Sequence, residues 1–238
     1  MIAALLLFTL QVPQIKIDDP VDEPLRTSVQ KFVEEGVSRN VEFFGKPYPK
    51  AFKVEVVPSR AAFDKIFKER WGVEHTESWA VAAGVADGLY LLSPRVWKTE
   101  ATEHDPNDPG HIQRIVAHEL THVYHGQLNP SKDFDGMDDL AWLIEGVATY
   151  VSGQMDHEHK GQDVEAIKNG KAPKELVKAW TGQYRYAISG SIVQYVDMHY
   201  GREKLTKILT LTKQSDIMEE LQTTEEILLN DWKSSVSP

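Results

Sequence analysis

The sequence predicts an α+β protein, with a mixed N-terminal half and a nearly all-helical C-terminal half. Three observations carry this prediction. Apolar positions Leu25, Val29, Phe32, Val33 and Val37 recur at helical spacing. The run Phe52-Lys53-Val54-Glu55-Val56-Val57 alternates between Pro49 and Pro58, as a strand does. From His111 onward the apolar pattern takes the helical period almost to the C-terminus.

In chain order, a Pro- and Asp-rich entry at Asp18 to Pro24 precedes the first helix. After the 52–57 strand, Ser59 is placed to cap a helix through Arg70. Residues 79–83 and 89–92 read as short strands, with Gly84 and Gly88 between them, and 103–110 is a breaker-rich loop. Helices are expected at 112–126, 139–153, 174–180, 185–200, 203–212 and 224–233, with Gly126, Gly153 and Gly201 as stops or joints.

At 238 residues and 41% apolar composition, the chain can bury a core of its own. Residues 16–238 are expected to form a single catalytic domain of two lobes, approximately 16–126 and 127–238. Residues 1–15 form a candidate signal or leader segment. Met1 to Leu10 is apolar apart from Thr9 and reads either as the hydrophobic part of an export signal, which would place the protein in the cell envelope or outside, or as an N-terminal strand. Ten residues are too few to span a bilayer, and no later stretch is long and apolar enough, so no integral span is expected. A formal charge of -10, from 36 acidic and 26 basic residues, argues against nucleic acid or an anionic membrane as partner. With no cysteine, a metal must be held by histidine and carboxylate.

The segment His118-Glu119-Leu120-Thr121-His122 meets that requirement. Residues four apart lie on one helix face about 6 Å apart along the axis, so His118 and His122 can direct imidazole nitrogens to one ion. Glu119, one step round, overhangs the open coordination position, where it can accept a proton from water that the ion has acidified. Apolar flanks at Ile115, Val116, Ala117, Leu120 and Val123 bury this helix, and a buried His-Glu-His needs partners or a cation. As third ligand, His125 lies about 10 Å from His118 along a straight helix, too far to share an ion, and is placed as a flanking group. Glu145 remains, in Trp142-Leu143-Ile144-Glu145-Gly146-Val147-Ala148-Thr149-Tyr150, where a carboxylate among apolar neighbours should be buried and paired. Two histidines and one carboxylate leave a fourth position for water, the catalytic pattern of zinc.

On these two segments the chain resembles the gluzincin zinc metallopeptidases, in the peptidase MA-like branch related to thermolysin and the zinc aminopeptidases. Metzincin spacing would need Gly and His where His125 and Leu128 stand. The resemblance implies one Zn²⁺ in a cleft between a sheet-containing N-terminal lobe and a helical C-terminal lobe, acting on a peptide or protein substrate. It also implies an edge strand, placed within 81–92, to pair with that substrate, and a tyrosine to stabilise the oxyanion, for which Tyr186 fits better than Tyr184. Asp87 stands where aminopeptidases recognise an amino terminus, and Thr149 where thermolysin-like enzymes orient a histidine through Asp. The expected activity is peptide-bond hydrolysis with Glu119 as general base. Hydrolysis of another amide or ester, or a binding protein on the same fold, are the alternatives. Trp71, Trp79 and Trp97 read as core or cleft-wall residues, and His104-Asp105 and His157-Glu158-His159 as solvated rather than metal-binding segments.

Overall fold

A computed structural model describes residues 13–236. It is α+β, with helix dominant, as the sequence predicts. Four strands, β1 (Gln14–Ile17), β2 (Lys53–Val57), β3 (Ala82–Val85) and β4 (Gly88–Leu92), form one mixed sheet in the order β1-β2-β4-β3. β1, β2 and β4 run parallel, and β3 pairs antiparallel with β4 at the sheet edge, with Ala83 opposite Tyr90. Every described element after β4 is helical: α3 (Trp97–Glu100), α4 (Pro109–Leu128), α5 (Ala141–Ser152), α6 (Gln154–His157), α7 (Gln162–Lys168), α8 (Arg185–Tyr200), α9 (Arg202–Ile208), α10 (Gln214–Leu221) and α11 (Glu225–Val236), after α1 (Arg26–Phe44) and α2 (Arg60–Trp71). None of these helices is long and apolar enough to cross a membrane.

Helix ends follow local chemistry. Ser59 caps α2 by accepting from the Ala62 N–H, as expected. Asp108 caps α4 by accepting from the Gly110 and His111 N–H groups, and Pro109 occupies the first helical position, where its missing N–H costs nothing. The breakers at 109–110 therefore open a helix instead of closing a loop. Gly153 ends α5 at φ 85, a left-handed conformation that glycine adopts without penalty.

Two apolar clusters share α4. Ile112, Ile115, Val116, Leu120 and Val123 pack with the sheet, α1 and α2, while Tyr124 joins the cluster built on α5, α8 and α11. Close backbone contacts set the approach of neighbouring elements. A Cβ at Gly84 would overlap the Glu119 carbonyl, so β3 lies directly against α4. A Cβ at Gly146 would stand 2.5 Å from the Ser189 carbonyl oxygen, which is why α5 and α8 pack so tightly.

Several boundaries differ from expectation, each for a tertiary reason. Strand 79–83 moves to Ala82–Val85 because Arg60 donates to the Ser78 and Ala80 carbonyls and fixes that stretch as a turn. Helix 174–180 is a single 3-10 turn at Leu176–Lys178, and the Leu176 N–H goes to the Glu225 carboxylate. Helix 203–212 stops at Ile208, since Asn129 Nδ2 draws the Leu209 and Leu211 carbonyls, at 2.8 and 3.0 Å, out of helical bonding. α4 runs through Gly126 to Leu128; that glycine admits the backbone of Lys132 and Ala86 and is no joint. β1 takes in Gln14 and Ile15, the end of the candidate leader, and residues 1–12 of that expectation lie outside the described residues.

Candidate metal centre

α4 and α5 bring the three expected ligands together. His118 Nε2 lies 3.2 Å from Glu145 Oε2, His122 Nε2 lies 3.6 Å from the same oxygen, and the two Nε2 atoms are 3.1 Å apart. Tetrahedral ligands at the ~2.05 Å distance usual for zinc stand about 3.3 Å from one another, since the edge is about 1.63 times the bond. The observed triangle matches that edge. Among the described residues this is the one group of histidine and carboxylate side chains that could hold a metal ion. Burial alone would raise the Glu145 carboxyl, but the imidazoles of His122 and His118 outweigh it and hold it well below the usual carboxylate range. Burial likewise works against charge on His118, and the Glu145 carboxylate outweighs it, holding His118 above its ordinary value.

The neighbours of the ligands set their orientation. His118 Nδ1 stands 2.8 Å from Gln154 Oε1. That acceptor keeps a proton on Nδ1 and turns the Nε2 lone pair toward the centre. Gln154 follows Gly153, so the left-handed end of α5 delivers it. The sequence reading missed this residue; its one signal is its place immediately after the stop of the helix that carries Glu145. Thr149 does not orient a histidine, because its hydroxyl donates to the Glu145 carbonyl at 2.8 Å.

His125 is outside the ligand group and fully buried, with neither ring nitrogen bonded. Burial, reinforced by His122, pushes it down to about 3. Phe134 packs its ring 4.8 Å from His125 and 6.0 Å from His122, from a left-handed backbone at φ 63. Such a conformation costs a non-glycine residue about 1–2 kcal/mol.

Two cavities meet at the centre, both lined by Trp79, Ala82, His118, Glu119 and Tyr186. One, of about 450 Å³, is largely apolar, with Phe67, Trp71, Phe134, Ile144 and Trp180. The other, of about 300 Å³, is the more polar of the two, with His104, His111, Glu158, His159 and Arg185 alongside Val81 and Ile115. The two segments expected to be solvated thus build its wall. His104 Nδ1 lies 2.8 Å from His111 Nε2, Glu158 accepts from Arg114 Nε at 2.5 Å, and His159 stacks on Tyr186 at 5.3 Å. Of the three tryptophans, Trp97 is core and Trp71 and Trp79 line the apolar cavity.

No family model, no curated protein and no solved structure matches this chain. The family resemblance therefore stands on the two motifs themselves.

Of the tyrosines, Tyr186 is at the centre, its ring 6.2 Å from that of His118. Tyr184 belongs to the α5–α8 core, and its hydroxyl donates to Glu165 Oε1 at 2.9 Å. Burial first, then the charge of Glu145, raises the Tyr186 phenol well above its ordinary value, so it is a donor at neutral pH. Asp87 pairs with Arg70 at 2.8 Å and lines neither of the two cavities.

Two outcomes test this arrangement. Gln154→Ala should weaken divalent-metal affinity about tenfold or more, read by competition with a chromogenic chelator. His125, neutral when folded, takes up a proton on unfolding at any pH between its ordinary value of 6.5 and about 3, so stability falls across that window as pH drops. Urea unfolding at about pH 7 and pH 4 should therefore show a smaller loss for His125→Leu than for the wild type; equal losses would remove His125 from the acid response.

Proposed function

We propose that this chain is a zinc-dependent hydrolase of peptide bonds, a metallopeptidase of the gluzincin type. The observation that carries the reading is the His118, His122 and Glu145 triangle at zinc spacing, with Glu119 lining the two cavities that open on it. In this reading the metal lies in a cleft between an N-terminal lobe, 16–126, and a C-terminal lobe, 127–238.

When bound, zinc supplies a Lewis acid that polarises the carbonyl and lowers the pKa of a water molecule toward neutrality. Glu119 takes the proton of that water as it attacks, then returns it to the departing amine. Tyr186, kept protonated by burial, donates to the carbonyl oxygen as negative charge develops there. The substrate backbone pairs with β3. Val81 accepts from the Leu92 N–H, so residues 81, 83 and 85 face β4, and the N–H and C=O groups of Ala82 and Gly84 point to the free edge. Both residues line the apolar cavity, so a paired peptide would run past Glu119 with a large apolar side chain among Phe67, Trp71 and Phe134.

The reading is tested by metal analysis together with cleavage of a peptide library, with and without chelator. One zinc per chain and chelator-sensitive cleavage are expected; no bound zinc after supplying it would overturn the proposal. Glu119→Gln should reduce turnover at least about a hundredfold while retaining zinc. Tyr186→Phe, zinc retained, should lower kcat by about a hundredfold or more, and unchanged kcat would remove Tyr186 from the mechanism.

A further inference from the structure

Arg185 stands apart from every other arginine of the chain. Arg26, Arg70, Arg95, Arg114 and Arg202 each hold a carboxylate. Arg39 and Arg60 donate to backbone carbonyls. Among the described residues Arg185 has neither kind of partner, and its buried Nε has no hydrogen bond at all. In a chain with 36 acidic and 26 basic residues, an arginine without a carboxylate is not for want of carboxylates.

Its position is fixed by other means. The guanidinium lies 5.6 Å from the Trp79 ring, 5.4 Å from Trp180 and 5.3 Å from Tyr186, each distance to the ring centroid. Three aromatic rings flank the cation, and no carboxylate or carbonyl among the described residues takes up its N–H groups, of which one comes within reach of the Tyr186 hydroxyl. That cation lines the polar cavity beside His118 and Glu119. None of the cavity's three acids pairs with it: Glu158 is engaged by Arg114 and His111, Glu103 is exposed, and Glu119 forms no ion pair among the described residues.

We propose that Arg185 is the anchor for a carboxylate of the substrate, received in the polar cavity next to the metal centre. A planar guanidinium whose donors are committed to no carboxylate or carbonyl matches a carboxylate through two parallel hydrogen bonds. The ligand class is an acylated amino acid or short peptide bearing a carboxylate close to the bond that is cut. That carboxylate comes from a free chain end or from an Asp or Glu side chain. Which bond is cut rests on the hydrolase reading; the anion site does not.

Binding is measured by calorimetry on the full-length zinc-loaded protein and on the same protein with chelator. The probes are N-acetyl-phenylalanine, its amide, and N-acetyl-aspartate α-amide, whose carboxylate is in the side chain. The free acid is expected to bind at least about tenfold more tightly than the amide in both forms, a difference that Arg185→Met abolishes and Arg185→Lys partly restores. A matching preference for the aspartate probe assigns the site to side-chain carboxylates as well; its absence assigns it to chain ends. Equal binding of acid and amide by the wild type would overturn the proposal. So would a preference that survives in Arg185→Met and vanishes with chelator, because the metal would then be the anion's partner. Since binding to the chelated form is read without turnover, a protein inactive with zinc that still prefers the acid would refute the peptidase reading and leave the anion site standing.

Discussion

Three acid-base groups placed within 3.1 to 3.6 Å of each other and largely withdrawn from water set the terms for the rest of this molecule. Two imidazole lone pairs and a carboxylate at that spacing repel one another unless positive charge sits between them. The packing sets that spacing. α4 is fixed from one side by the sheet cluster and from the other by the helical cluster, and α5 is pressed onto α8 through the bare backbone at Gly146. The position of the centre is thus fixed by apolar contacts on both sides of it.

Much of this was legible in the sequence, and the particular residues show why. His118, Glu119 and His122 lie within a single helical turn or so, where spacing alone fixes geometry. Glu145 could be read because an acid amid Leu143, Ile144 and Val147 has few ways to be satisfied. Ser59 as a cap and Gly153 as a stop are local decisions of the backbone, and they hold. What escaped depends on distant partners. Arg60 turned an expected strand into a turn, Asn129 ended α9 early, and Gln154 became a ligand-orienting residue, each through a contact that no periodicity encodes.

The two cavities at the centre differ for the same reason. Aromatic residues from α2, from the turn at Trp79 and from the segment at Phe134 form one wall, and the other collects His104, His111 and Glu158 from three separate stretches. Read singly, those polar residues look like ordinary surface. Together they form a bonded chain from the Trp79 carbonyl through His104 and His111 to Glu158, which ties the loop before β3 to the turn after α6.

The left-handed residue Gly153 has one more consequence. Glu145 belongs to α5, and Gln154, which sets the tautomer of His118, follows that helix by a single fixed turn. The carboxylate that faces His118 Nε2 and the amide that holds its Nδ1 are therefore placed by the same helix. A shift of α5 along its axis would withdraw a carboxylate and release an imidazole in the same motion, so the centre would assemble and come apart as a whole instead of ligand by ligand.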